Sequence, residues 1–106
     1  MRVLLDQGTP VPLRRALSGH TVSTAFEMGW AELDNGGLLN AAEAAFDLLI
    51  TTDQNLRYQQ NLGGRRLAIL VLPTTSWPII QTHVAAVVDA VNGLRAGEFQ
   101  ELSFSE

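Results

Sequence analysis

Short runs of apolar or β-branched residues alternate along the chain with stretches in which apolar residues recur at helical spacing. A short continuous apolar run is typical of a strand that is buried on both faces of a parallel sheet. These runs predict four strands, at residues 2–6, 21–25, 48–52 and 67–72. The run 67–72 is the most hydrophobic, which indicates a central strand. The imperfect alternation of residues 98–104 predicts a fifth strand at the edge of the sheet.

Helices are predicted between these strands. The clearest one begins after Asp34 or Asn35, either of which can cap it, and its inner stripe is Leu38, Leu39, Ala42, Ala45 and Phe46. Other helices are predicted at residues 10–17, 27–32 and 56–62, and the longest at residues 77–95. Because strands and helices alternate, we expect an α/β fold, a three-layer αβα sandwich with a four- to five-stranded mostly parallel sheet. Residues 1–106 are expected to form a single domain.

Composition narrows the class of protein. Hydrophobic residues make up 46% of the chain and charged residues 17%, which is typical of a globular domain rather than a disordered one. No apolar run approaches the roughly 20 residues that cross a bilayer. The first residues reach Asp6 too soon for a secretory signal. We therefore expect a cytoplasmic protein with no membrane partner.

The basic residues and the absence of cysteine exclude several kinds of site. The chain has no Cys, and all seven of its basic residues are Arg. Thiolate chemistry, Schiff bases and a Walker-type phosphate loop are thereby excluded. The formal net charge of −4 has the wrong sign for broad contacts with nucleic-acid phosphates. Binding of RNA would need a local Arg patch or a metal, and Arg57 and Arg65 are the candidate phosphate contacts.

Two carboxylates follow predicted strands. Asp6 and Asp53 stand at the carboxyl ends of parallel strands, so they share one edge of the sheet and can converge. Carboxylates that converge repel each other unless a cation lies between them, and Mg²⁺ or Mn²⁺ prefers such oxygen ligands. Asp34 and Glu43 are candidates for a third acidic residue. The alternative is that Asp6, Asp53 and Asp34 cap helices and that Glu43 is solvated.

Five segments resemble the small bacterial PIN-like domains, relatives of the PIN nucleases that are regarded as toxins of toxin–antitoxin pairs. They are Leu4-Leu5-Asp6 with the later Pro10, Gly19-His20-Thr21-Val22, Met28-Gly29-Trp30, the segment 48–56, and Tyr58-Gln59-Gln60-Asn61-Leu62. The resemblance covers roughly residues 1–72. It implies a metal-dependent endoribonuclease fold in which Asp6 and Asp53 occupy acidic positions, with RNA as substrate and an antitoxin protein as partner.

The chain departs from the family pattern at two polar positions. Gln7 stands where the family commonly has Glu, and Asn55 is neutral near a position that is often acidic. These accessory polar residues leave two expectations open. One is a metal-dependent RNA phosphodiesterase that uses Asp6, Asp53 and either Asp34 or Glu43. The other is a catalytically weak or inactive binding module that acts through a protein partner or a homodimer.

Overall fold

A computed structural model describes residues 1–104, in which five parallel strands form one sheet. The strands are β1 (Arg2–Leu5), β2 (Thr21–Thr24), β3 (Leu48–Thr51), β4 (Ala68–Val71) and β5 (Phe99–Glu101). Their order across the sheet is β2-β1-β3-β4-β5. The predicted α/β class and parallel sheet are confirmed. Residues 105 and 106 of the predicted domain lie outside the described part.

Helices pack on both faces of the sheet. They are α1 (Leu13–Ala16), α2 (Asn35–Ala45), α3 (Leu56–Gln59), α4 (Trp77–Thr82) and α5 (Val84–Gly93). Buried residues of α1, α4 and α5 pack on one face, and buried residues of α2 and α3 pack on the other. This arrangement is compatible with a three-layer sandwich. Across residues 1–104, none of the helices has the length and apolar character needed to span a bilayer.

The apolar runs form strands because both of their faces are covered. In β1, Val3 and Leu5 belong to one core cluster and Leu4 to the other, as the alternation of side chains along a strand requires. Every residue of β3 and β4 is buried. The most hydrophobic run, β4, is an interior strand, but the middle position belongs to β3. Hydrophobicity therefore identified buried strands without fixing their order.

The predicted long helix is divided into two. α4 ends at Thr82 and α5 begins at Val84, with His83 between them at φ −120° and ψ 21°. The His83 ring stacks on Phe104, with 4.3 Å between ring centroids. The Thr82 hydroxyl donates to the carbonyl of Ile79 at 2.8 Å, a side-chain bond that competes with regular helix pairing. The break therefore coincides with a contact between His83 and a residue outside the helix. The periodicity of residues 77–95 carries no information about that contact.

Three other predicted helices are shorter than expected or absent. The helix predicted at residues 10–17 is the single turn α1, and that at 56–62 ends at Gln59. Thr9 does not cap α1; its hydroxyl donates to the carbonyl of Ile50 at 3.1 Å and is buried. Residues 27–32 form turns rather than a helix.

Gly97 holds the turn before β5 and supplies a stability prediction. Its φ of +79° is in the left-handed region, and an added Cβ would lie 2.9 Å from the carbonyl oxygen of Arg65. We expect Gly97→Ala to lower the free energy of unfolding by about 2 kcal/mol, measured by urea denaturation. Gly93→Ala is the matched control, because a Cβ there meets no atom within 4 Å. Equal losses in the two variants would contradict this reading of the turn.

Candidate functional site

The candidate site lies where the sheet changes its direction of winding. β1 pairs with β2 on one side and with β3 on the other, so the chain first runs from β1 to β2 and then crosses back past β1 to β3. In open parallel sheets, the crevice at the carboxyl ends of the strands at such a switch point is the usual place for a ligand. Asp6 follows β1 directly, and Asp53 comes two residues after the end of β3. The strand order therefore places both predicted carboxylates at the carboxyl ends of β1 and β3, beside the switch point.

The hydroxyl of Thr51 links the two acidic residues. It donates a hydrogen bond to Oδ2 of Asp6 at 2.7 Å and accepts one from the backbone N–H of Asp53 at 3.1 Å. Thr51 is the last residue of β3 and is 1% exposed, whereas Asp6 and Asp53 are half-buried. The backbone N–H of Asp6 also donates to the carbonyl of Ile50 at 2.9 Å. The two acidic residues are therefore fixed to adjacent strands by a common buried group.

Asp34 and Asn35 have separate roles at the start of α2. Oδ1 of Asp34 accepts from the backbone N–H of Gly37 at 2.7 Å, so Asp34 is the N-cap. Asn35 then turns its amide to the sheet edge, where Nδ2 donates to Oδ2 of Asp53 at 2.9 Å and to Oε1 of Gln59 at 3.2 Å. The structure thus brings Asn35 into contact with Asp53, while Asp34 lies on the same edge as a helix cap.

Neutral groups hold both carboxylates. Each of the four carboxylate oxygens accepts one hydrogen bond, from the backbone N–H groups of Gln7 and Asn55, the Thr51 hydroxyl and the Asn35 amide. The ion pairs within residues 1–104 are Arg14–Glu27, Arg57–Glu101 and Arg66–Asp47. None of them neutralises Asp6 or Asp53. The site therefore holds two fixed negative charges. Each carboxylate oxygen keeps a lone pair that can bind a further group.

The carboxylate oxygens of Asp6 and Asp53 are the type of ligand that a hard divalent cation prefers. A carboxylate oxygen has two lone pairs, so one hydrogen bond leaves capacity for a metal. Mg²⁺ commonly takes only one or two protein carboxylates and completes its shell with waters and substrate phosphate. Within residues 1–104, no three Asp, Glu or His side chains group closely enough to hold a metal by themselves. Asp6 and Asp53 are thus the residues that could hold Mg²⁺ or Mn²⁺, with other oxygens from outside the chain.

Glu43 and Arg65 lie at the amino ends of the strands, opposite to the end that carries Asp6 and Asp53. The Glu43 carboxylate accepts from the backbone N–H groups of Arg66 and Leu67, each at 2.7 Å, just before β4 begins. Arg65, in the same turn, donates to Oδ1 of Asn40 at 3.0 Å. The structure therefore does not bring the predicted third ligand Glu43 or the predicted phosphate contact Arg65 to Asp6 and Asp53. Glu43 is at the far end of α2, which runs back along the sheet.

The position of Glu43 predicts a pH dependence of stability. Partial burial raises the pKa of Glu43. The backbone N–H donors of Arg66 and Leu67 and the nearby Arg charges lower it, and together they outweigh burial, so the net shift is downward. Stability from a carboxyl with a lowered folded-state pKa is present above its unfolded pKa of about 4.3 and is lost as pH falls through the folded pKa. We expect Glu43→Gln to cost about 1 kcal/mol near neutral pH, and the deficit to shrink in acid.

Urea denaturation at neutral and acid pH measures this difference. Glu32→Gln makes the same chemical change on an exposed residue of the loop before α2 and is the matched control. A Glu43→Gln deficit of the same size at both pH values would show that the carboxylate charge does not contribute. That result would contradict the role given to the two N–H donors.

The remaining predicted residues lie near the candidate site. Gln7 and Asn55 are exposed and contribute their backbone N–H groups to Asp6 and Asp53. Arg57 lies in α3 and pairs with Glu101, which ends β5, at 3.1 Å. Because Glu101 is at the carboxyl end of its strand, Arg57 is on the same edge as the acidic residues. Of the two predicted phosphate contacts, Arg57 is the one that lies at this edge.

Sequence reasoning missed Thr51 and the true role of Asn35. Thr51 precedes Asp53 by two residues, a spacing at which a threonine hydroxyl can accept from the backbone N–H two residues on. That spacing was a signal that the hydroxyl could fix the backbone of Asp53. Asn35 was considered only as an alternative cap, and the capping bond of Asp34 is what frees it to contact Asp53.

We compared the chain with protein-family models, curated proteins and solved structures, and none of these comparisons finds a match. The interpretation of the site consequently rests on its geometry and on the sequence resemblance given above.

Proposed function

We propose that this protein is a metal-dependent endoribonuclease of the PIN-like class, with its active site at Asp6 and Asp53. The observation that carries the proposal is the pair of carboxylates at the switch point, joined through Thr51 and paired with no Arg in residues 1–104. Two carboxylates that converge without a neutralising Arg repel each other, and a cation between them would relieve that repulsion. Mg²⁺ or Mn²⁺ is the proposed occupant.

Each residue of the site has a proposed task. Asp6 and Asp53 would hold the cation, and Thr51 keeps the Asp6 carboxylate and the Asp53 backbone in position. Asn35 fixes Oδ2 of Asp53 and presents an amide beside the crevice. Arg57, on the same edge, attracts the substrate phosphate. When bound, the divalent ion supplies Lewis-acid polarisation of the phosphodiester and favours ionisation of a water nucleophile.

Cleavage of single-stranded RNA by the purified chain tests the proposal. We expect products with Mg²⁺ or Mn²⁺ and none with EDTA, because the proposed reaction depends on the bound ion. A contaminating nuclease is controlled for by Asp53→Asn protein purified in the same way. Cleavage that is equal in the parent and in this variant would contradict the assignment.

A non-catalytic binding module is the second candidate, and one observation favours it. Only two acidic residues converge, and the other polar groups that contact them are amides, a hydroxyl and backbone N–H groups. Such a protein would act through a partner such as an antitoxin, or through a homodimer formed at the edge strand β5. Binding of Mn²⁺ without any RNA cleavage would support this function over the nuclease.

A further inference from the structure

Two aromatic rings stand exposed on the edge that carries the candidate site. Phe26 is 77% exposed and Tyr58 is 72% exposed. Phe26 follows the carboxyl end of β2, whose last residue, Thr24, pairs with Leu5 of β1. Tyr58 lies in α3 beside Gln59, which accepts a hydrogen bond from the same Asn35 amide that holds Asp53. The rings therefore flank the Asp6–Asp53 site, one on the β2 side and one on the α3 side.

The segment that carries Phe26 is braced. The backbone N–H of Thr24 donates to Oε1 of Glu27 at 3.0 Å, and the N–H of Glu27 donates to Oγ1 of Thr24 at 3.1 Å. Arg14 binds the same Glu27 carboxylate. This reciprocal pattern is that of a capping box, and it encloses Ala25 and Phe26. Phe26 is consequently presented to solvent by a fixed turn instead of a loose loop.

Tyr58 is braced in a different way. The guanidinium of Arg57 lies over its ring, 4.8 Å from the centroid, and donates to the Tyr58 hydroxyl at 2.7 Å. Arg57 is itself held by Glu101 at 3.1 Å. The ring and the cation therefore form one unit at the edge of the site, with an aromatic surface and a positive charge side by side.

The surroundings of the rings favour nucleic acid over a protein partner. A surface that binds a protein partner would be expected to present a contiguous apolar patch. At this edge Asp6 is followed by the neutral Gln7, and Asp53 is followed by the neutral Gln54 and Asn55. The amide of Asn35 contacts both Asp53 and Gln59. Exposed rings stack with the bases of single strands largely independently of sequence, and amides bind base edges and ribose hydroxyls.

We propose that Phe26 and Tyr58 are base-stacking residues for single-stranded RNA, on a surface that has Asp6 and Asp53 at its centre. The proposal rests on the function proposed above, because it identifies how that site takes its substrate. A strand lying across this edge would place bases on the two rings and the intervening phosphodiester at the carboxylates.

Fluorescence anisotropy with a short labelled oligoadenylate tests the proposal, in EDTA so that the proposed nuclease does not cleave the probe. We expect Phe26→Ala and Tyr58→Ala each to weaken binding about tenfold, the usual effect of losing one stacked base. Phe26→Tyr and Tyr58→Phe keep a ring and should bind like the parent. Ile79→Ala is the control for loss of an exposed apolar side chain, since Ile79 is 48% exposed on α4, in the other helical layer.

The affinity of each variant for Mn²⁺ alone separates this proposal from the nuclease proposal. Unchanged Mn²⁺ affinity with weakened oligoadenylate binding in both alanine variants is the expected result. Parent-like oligoadenylate binding in both variants, or no binding by the parent, would overturn the stacking role even if Mn²⁺ binds. Ring-dependent oligoadenylate binding by a parent that takes up no Mn²⁺ would uphold stacking and refute the metal site.

Discussion

Replacing either site carboxylate should remove RNA cleavage while leaving the fold in place. We expect Asp6→Asn and Asp53→Asn each to lower the cleavage rate at least about 100-fold, because the several kcal/mol that a bound metal contributes to transition-state stabilisation would be lost. Asn retains one oxygen acceptor, and both residues are half-buried, so the thermal transition should stay cooperative. Initial rates on a labelled RNA and thermal melts of the same preparations measure the two quantities.

Asp34→Asn is the matched control for these variants. It makes the same chemical change on the same edge of the sheet, and Asn caps a helix as well as Asp does. Because Oδ1 of Asp34 is engaged by the N–H of Gly37, we expect cleavage to remain close to that of the parent. A loss as large as that of Asp6→Asn would contradict a two-carboxylate site and would make Asp34 a third ligand.

Thr51 should prove to be the positioning residue of the site. Thr51→Val keeps the shape of a side chain that is 1% exposed, but it removes the hydroxyl that contacts Asp6 and Asp53. Groups that orient metal ligands typically change metal affinity by about 10- to 100-fold when they are removed. We therefore expect Thr51→Val to weaken Mn²⁺ binding and cleavage by that factor.

Thr51→Ser separates orientation of the site from packing. It keeps the hydroxyl and removes one buried methyl group, so it should lose about 1 kcal/mol of stability and retain Mn²⁺ affinity. Titration calorimetry and urea denaturation of the two variants measure affinity and stability independently. Thr51→Val with parent-like Mn²⁺ affinity would contradict a positioning role for the hydroxyl that joins the Asp6 carboxylate to the Asp53 backbone.

The strands and α2 could be predicted because each has a strong local signal. The apolar runs of β3 and β4 are buried on both faces, and Asp34 stands directly before the apolar stripe of α2. The division of the long helix at His83 could not be predicted in the same way. His83 stacks on Phe104, which lies 21 residues later in the chain, and a periodicity confined to one helix carries no information about such a contact.

The shared edge of the candidate residues could be predicted from topology, whereas their side-chain contacts could not. Asp6 and Asp53 share an edge because parallel strands end together, which the pattern of the sequence indicates. Glu43 could have been rejected by the same reasoning, because it lies nine residues after Asp34, or about 13 Å along a helix that runs away from that edge. Asn35 is free to contact Asp53 because Asp34 caps α2. The sequence did not indicate which of these two neighbours would be the cap.

Titration calorimetry of Mn²⁺ into metal-free protein tests whether Asp6 and Asp53 share one cation. The parent, Asp6→Asn and Asp53→Asn are measured in the same buffer at the same pH. We expect the parent to bind one ion and both variants to lose that binding, which would place the two carboxylates on the same cation. Binding that persists in both variants, or no binding by the parent, would contradict a metal site at the ends of β1 and β3.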